Sequence, residues 1–321
     1  MKEKSMTARP FIKWVGGKGQ LLDQLEKLLP VELHYEDFTY IEPFVGGGAM
    51  LFFMLQKYSH LRKAIINDIN GNLTEAYMNV KHHAPELVLR LKNLEKEYLG
   101  ISSEESRKDF YLVMRRSFNE QCLESIDRTA LLIFLNHTCF NGLYRENSKG
   151  RFNVPFGRYR HPRICSEELI YCDSELLNRH DVKILNGDYQ IIQKHLDSHR
   201  LNFLYFDPPY RPLSATSSFN TYVKEAFDDQ SQRALGLFCH RLSTNSNVRW
   251  MLSNSDCSSK NPEDMFFESL YDGFDIQRVY ASRMVNAQAS KRGKLSELVI
   301  RNYSETSTEE THIYTTKQQT A

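Results

Sequence analysis

Charge of one sign is missing from this sequence. Its 321 residues carry 41 Lys and Arg against 40 Asp and Glu, a formal net charge of +1, so composition names no acidic partner. Long hydrophobic runs are missing too: the longest, Ala49 to Leu55 and Ala130 to Leu135, fall far short of the roughly 20 apolar residues of a membrane-spanning helix. Met1 to Pro10 is polar and mixed in charge, without the apolar core of a secretory signal, so the expected location is the cytoplasm. Cysteine pairs are absent. Cys122, Cys139, Cys165, Cys172, Cys239 and Cys257 show no C-x-x-C and no histidine at zinc-finger spacing, and are expected to be reduced, mostly structural thiols. The lack of a G-x-G-x-x-G argues against NAD or FAD, and Gly17-Lys18 has neither the earlier glycine nor the following Ser or Thr of a Walker loop. No internal repeat is visible.

What remains is the composition of a globular protein, 41% hydrophobic and 25% charged, long enough for one to three domains. Three segments share a pattern in which an apolar run stops at an acidic residue or a glycine cluster: Phe38 to Gly48, Ala64 to Asp68 and Leu201 to Tyr210. They are short and rich in Ile, Phe and Tyr, the signature of buried strands. Helical patterns over Gly48 to Tyr58, Leu73 to Leu94 and Gln230 to Leu242 alternate with them. Such alternation predicts an α/β fold with a parallel sheet, whose ligands sit beyond the carboxyl ends of the strands.

From about Gly71 to Cys165 the alternation gives way to helical patterns (Glu86 to Tyr98, Ser106 to Asn119, Arg128 to Leu135) and then a loop. This segment reads as a helical insertion. Its end, Asn141 to Arg163, has six basic residues, one acidic residue and the aromatics Tyr144, Phe152, Phe156 and Tyr159. A solvated loop accounts for the charges alone; the interleaved aromatics favour a nucleic-acid surface, where Arg and Lys meet phosphates and planar groups meet bases. The last 18 residues are Thr-rich without periodicity, the pattern of a disordered tail.

Three clusters carry chemistry. In Phe11 to Gln20 (FIKWVGGKGQ), adjacent glycines let the backbone approach a ligand and Lys18 supplies a cation, although a glycine turn with a surface lysine reads the same way. In Glu42 to Gly48 (EPFVGGG), glycines follow a strand and precede an apolar helix, leaving backbone N–H groups free for a nucleotide-like ligand. Asp68 ends the next strand 20 residues later, where a carboxylate grips ribose hydroxyls; together these point to an adenosine-containing cofactor. In Asp207-Pro208-Pro209-Tyr210, two prolines stiffen the chain at the end of a buried strand and fix the Asp207 carboxylate, the Pro208 carbonyl and the Tyr210 ring relative to each other. Two acceptors aimed at the hydrogens of a planar amine pull its nitrogen toward tetrahedral geometry and free the lone pair for attack. A plain strand-end turn is the competing reading of the tetrapeptide.

The segments FIKWVGGKGQ, EPFVGGG, NDIN, DPPY and FNGLYR, with FNVPFGRY and PLSATSSFNTY, resemble those of Dam-type (alpha class, D12) site-specific DNA adenine N6-methyltransferases, particularly members that act on GATC. The resemblance runs from about Phe11 to Tyr303. It implies a Rossmann-like S-adenosylmethionine-dependent methyltransferase sheet domain (residues 1–70 and 166–303) interrupted by a mainly helical target-recognition domain (71–165), with a tail at 304–321. Trp14, Lys18, Phe44, Gly46 and Gly48 would contact S-adenosylmethionine, Asp68 its ribose, and Asp188 and Tyr189 its adenine. Asp207, Pro208 and Tyr210 would hold the flipped target base, with Asp207 also near the methyl donor. Asn141, Leu143, Arg145, Arg158 and Tyr159 would read DNA, an Arg facing guanine and neighbours wedging into the stack. Ser214 to Tyr222 would close over DNA and base.

The expected reaction is direct methyl transfer to a flipped adenine in double-stranded DNA, without metal and without a covalent enzyme intermediate, by a monomer that could serve beside a restriction endonuclease. Two alternatives stay open: a methyltransferase of an RNA base or a protein amide, which the basic insertion disfavours for protein, and a non-catalytic DNA-binding regulator, which has no need of both Asp207 and Tyr210.

Overall fold

The computed structural model describes residues 7–120, 122–213, 227–281 and 295–304. The expected closing loop from Ser214 to Tyr222 and the Thr-rich tail beyond Ser304 lie outside the described residues.

Seven strands form one sheet in the order β3-β2-β1-β4-β5-β7-β6. They are β1 (Phe38–Glu42), β2 (Leu61–Asp68), β3 (Asp181–Asn186), β4 (Leu201–Phe206), β5 (Val248–Ser255), β6 (Asp275–Ala281) and β7 (Leu295–Arg301). β1 to β5 run parallel, and β7 runs antiparallel between β5 and β6. Every residue of β1 and of β4 is buried, as expected of central strands covered on both faces. Alternate side chains divide between two cores. Tyr40, Phe203 and Tyr205 point to one with Phe52, Tyr77 and Phe134; Ile41, Leu204 and Phe206 point to the other with Leu235, Phe238 and Trp250.

The chain steps outward from β1 to β2 and β3, then returns to lay β4 on the other side of β1. That reversal puts a switch point between β1 and β4, so the ends of EPFVGGG and DPPY emerge side by side. Because β7 is antiparallel, its first residues lie at this same edge, with Glu297 opposite Ser255 at the end of β5.

Between β2 and β3 come α3 (Gly71–His82), α4 (Ala84–Gly100), α5 (Glu104–Glu120), α6 (Ser125–Thr138) and α7 (Glu167–Arg179), after α1 (Leu22–Glu26) and α2 (Ala49–Lys57) and before α8 (Asp229–Leu242) and α9 (Phe266–Leu270). The helix expected from Leu73 to Leu94 is two helices broken at His83. Pro85 is the cause: it suits the first turn of α4, where its missing N–H is not needed, whereas in a continuous helix it would lack a hydrogen bond and set its ring against the Lys81 carbonyl. Leu73, Leu91, Phe134 and Val154 join the same core as Phe38 and Tyr40, so the inserted helices rest on the sheet's own apolar face. Cys139, Cys165, Cys239 and Cys257 are buried free thiols, and burial pushes Cys139 and Cys165 up to about 11.

Candidate active site

The glycine turn after β1 is shaped by close approach. Gly46 (φ 49°) and Gly48 (φ 76°) take left-handed conformations that a side chain resists. A Cβ at Gly46 would come within 2.8 Å of the Trp14 indole, and one at Gly48 would strike the Tyr77 hydroxyl. The turn is also bonded to its surroundings. Tyr77 Oη donates to the Gly46 carbonyl at 3.0 Å, and buried Asn67 donates to the carbonyls of Pro43 and Gly187, both at 3.0 Å. Asp68 accepts from Gly46 N at 3.1 Å and Asn70 N at 2.9 Å; burial outweighs these amides and leaves its carboxyl above the usual range. Phe44 stacks on Tyr189 with centroids 5.4 Å apart, so Tyr189 is buried by its neighbours, whereas exposed Asp188 caps its own 3₁₀ turn by accepting from Gln190 N at 2.9 Å.

Asp207 follows β4 and meets Lys18 from the N-terminal glycine segment. Lys18 Nζ is 2.9 Å from Asp207 Oδ1, donates to the Gly16 carbonyl at 2.8 Å and lies 4.5 Å from the centre of the Tyr210 ring. The lysine side chain is only 4% exposed and Asp207 20%, so the pair is largely withdrawn from water. Burial raises the Asp207 carboxyl to about 6, with Lys18 pulling down and Glu297 pushing up. Tyr210 Oη donates to Glu297 Oε2 at 2.7 Å. Behind the prolines, Gln232 donates to the Pro209 carbonyl at 2.9 Å and accepts from Asn254, which in turn accepts from Arg211 N. Arg211 is pinned by Asp229 at 2.7 Å and Asp264 at 2.6 Å. The turn is therefore braced on both sides of Tyr210.

The strand-end constellation brings Trp14, Lys18, Phe44, Gly46, Gly48, Asp68, Asp207, Pro208 and Tyr210 to one edge. Asn141, Leu143, Arg145, Arg158 and Tyr159 lie in the loop that packs on the N-terminal segment through Lys13 and Trp14. Asn141 (φ 55°) and Arg158 (φ 58°) both sit in the left-handed region, a strained choice for non-glycine residues. Asn141 N donates to Tyr159 Oη at 3.1 Å, and Lys13 lies 5.5 Å from that ring. Arg145 Nε donates to Asn153 Oδ1 at 2.7 Å, while Leu143 packs partly into the core. Arg158 is 76% exposed, with only a loose pairing to Glu104 at 3.7 Å.

Three of the four aromatics in this stretch correct the sequence reading. Phe152 is buried, Phe156 packs on Tyr111, and Tyr144 stacks on Trp14 at 5.1 Å. They hold the loop to the core instead of offering planes to bases, because a loop without regular structure needs apolar anchors. Sequence reasoning also missed Tyr77, Gln232, Asn254, Arg211 and Glu297. A run of polar residues ending β5, Ser253 to Ser255, was the available signal for Asn254; Glu297 is the third residue of an otherwise mainly apolar strand and carries none.

A strand-end glycine turn beside an acidic Pro-Pro-Tyr turn fits a nucleotide-like methyl donor and a planar amine, and comparison with known proteins agrees. The family of D12 class N6 adenine-specific DNA methyltransferases matches residues 14–285. The chain belongs to that family. It is 46% identical to the type II methyltransferase M.MjaIII of Methanocaldococcus jannaschii, over 93% of this chain and 100% of that one. It is 36% identical to the type II methyltransferase M1.LlaDCHI of Lactococcus lactis subsp. cremoris, over 94% and 98%. Against the DNA adenine methylase of Haemophilus influenzae the identity is 31%, over 91% and 92%. The D12 enzyme is an adenine-specific DNA methyltransferase that modifies the N6 amine, and family membership implies S-adenosylmethionine as donor. The residues fit that cofactor. Asp68, Asp207 and Glu297 outnumber Lys18 at this edge, an excess of negative charge suited to a cationic sulfonium. Among the described residues no helix is long and apolar enough to cross a membrane, and no group of three His, Cys, Asp or Glu is placed to hold a metal.

Proposed function

We propose that the enzyme methylates a flipped adenine within GATC in double-stranded DNA, with Asp207, Pro208 and Tyr210 as the base pocket. The carrying observation is the packing of Asp207, Lys18 and Tyr210 at the switch point beside the Gly46–Gly48 turn. In this reading the Tyr210 ring stacks on the adenine, and the Asp207 carboxylate and Pro208 carbonyl accept hydrogen bonds from the amine. Both acceptors favour a tetrahedral nitrogen and so release its lone pair. S-adenosylmethionine supplies an activated methyl group on a positive sulfonium, which requires no metal. Trp14, Lys18, Phe44, Gly46, Gly48, Asp68, Asp188 and Tyr189 surround the cofactor, Asp68 facing its ribose. Lys18 must yield part of its hold on Asp207 as the amine arrives.

Residues 71–165 serve as the recognition element in this proposal. Exposed Arg158 meets phosphate, and Arg145, oriented by Asn153, reads guanine. The resemblance of FNGLYR and FNVPFGRY to segments of the members of the class that act on GATC supports that site. The enzyme acts as a monomer in the cytoplasm, and a restriction endonuclease is its functional partner; the type II naming of two relatives supports the latter. Sequencing DNA methylated by the purified enzyme tests the proposal: N6-methyladenine confined to GATC is expected, and modification at another motif, or of RNA alone, overturns it.

A further inference from the structure

We propose that Glu297 is a positioning residue for methyl transfer: its carboxylate anchors the Tyr210 phenol and shares Lys18 with Asp207, fixing the ring and the acceptor relative to each other before the base enters. The inference rests on the reading of Asp207 to Tyr210 as the base pocket. Glu297 lies on β7, beyond the residues 14–285 matched by the family, so no motif points to it. Its Oε2 accepts from Tyr210 Oη at 2.7 Å and stands 3.8 Å from Lys18 Nζ, which is 2.9 Å from Asp207 Oδ1. Its side chain is only 12% exposed, so water screens these contacts weakly.

The geometry explains why an anchor is needed. Two prolines stiffen the backbone ahead of Tyr210 but leave its side-chain torsions free, and a partly exposed aromatic ring has several rotamers. A short bond from the phenol to a strand residue selects one of them. Since β7 is antiparallel and hydrogen-bonded between β5 and β6, the anchor sits on a rigid element rather than on a loop. The shared lysine adds a second constraint: with two carboxylates on one ammonium, Asp207 is held without its charge being wholly claimed. The groups facing Asp207 are Lys18 from the N-terminal segment, Glu297 from β7, Tyr205 and Tyr210 from β4 and its turn, and, farther off, Glu42 and Tyr40 from β1.

Three variants separate the two roles. Glu297→Ala removes both anchor and charge, Tyr210→Phe removes only the phenol, and Glu297→Gln keeps an oxygen for the phenol but loses the charge. Steady-state kinetics on duplex DNA should show kcat lowered about 10- to 100-fold in Glu297→Ala, with cofactor affinity by titration little changed, since a small misplacement of a positioned group costs on that order. The double variant Glu297→Ala/Tyr210→Phe should be no worse than Glu297→Ala alone, because both remove one bond. Glu297→Gln should recover kcat relative to alanine while moving the acid limb of the kcat/KM profile to lower pH, a shift that a merely structural role would not produce. A kcat within twofold of wild type in Glu297→Ala, or multiplicative losses in the double variant, overturns the inference. If Glu297→Ala proves unfolded by circular dichroism, the glutamine variant decides: a shifted limb supports the role and an unmoved one overturns it. Asp207→Ala distinguishes the foundations. If that variant remains active, the base-pocket reading falls; if it is inactive while Glu297→Ala is unimpaired, only the role of Glu297 falls.

Discussion

The strand-end edge and the 141–163 loop do opposite physical work with opposite charges. At the edge, carboxylates are withdrawn from water and each is tied to a named donor: Asp68 to two backbone amides, Asp207 to Lys18, Glu297 to Tyr210. In the loop, Arg158 projects into solvent almost unpaired and Arg145 is only steadied by Asn153. Buried charge is costly and persists where geometry must be exact to tenths of an ångström, whereas exposed charge is cheap and remains free for a partner. The backbone follows the same division. Positive φ falls on glycines alone at the edge, where close approach demands it, whereas in the loop it falls on Gly142 and Gly150 and also on the non-glycine residues Asn141 and Arg158.

The sharpest break in this contrast is Asp207→Ala, which should cut kcat by at least about 100-fold, on the scale of losing one preorganised polar contact to the reacting group. Cofactor and DNA affinities should stay within a few-fold, measured by titration and filter binding; activity surviving within tenfold removes Asp207 as the main acceptor. The same carboxyl governs pH. In the proposed role it must be ionised to accept from the amine, and burial raises it to about 6, so kcat/KM should fall about tenfold per unit below that value and level above it. A limb near the ordinary carboxylate range would mean the site is wetter than the structure implies. Gly48→Ala, where strain and the Tyr77 hydroxyl act together, should lose about 1–3 kcal/mol of stability, read by thermal unfolding, and weaken cofactor binding.

Loop variants should leave chemistry intact. Arg145→Ala should lose about 1–3 kcal/mol of discrimination at one base pair of the site, seen as methylation of single-substitution duplexes. An unchanged preference withdraws it from base reading. Arg158→Ala is the smallest effect, reducing the slope of log affinity against log salt by about 1 with no change in sequence choice. If Arg158 alters specificity and Arg145 only the salt slope, the two roles are exchanged.

Legibility in the sequence followed the range of the forces involved. β1, β2 and β4 were readable because consecutive buried residues must be apolar, and the glycine turn and DPPY because their backbones admit few substitutes. The break at His83 was readable in principle from Pro85 but was masked by helical periodicity on either side. Tyr144, Phe152 and Phe156 of the 141–163 loop pack on protein because residue type reports a capacity to stack, not the partner: Tyr144 stacks on Trp14, which precedes it by 130 positions in the chain.

By itself the sequence determined the α/β class, the strand-end motifs, the local concentration of positive charge and the family resemblance, all of which depend on neighbours within a few residues. Only the tertiary structure decided that Lys18 meets Asp207, that Tyr210 leans on Glu297, and that Tyr144 of the basic loop stacks on Trp14. These contacts join positions far apart along the chain, and the first two exist because β4 returns beside β1 and β7 runs backward against β5. Strand order, not residue spacing, sets those distances.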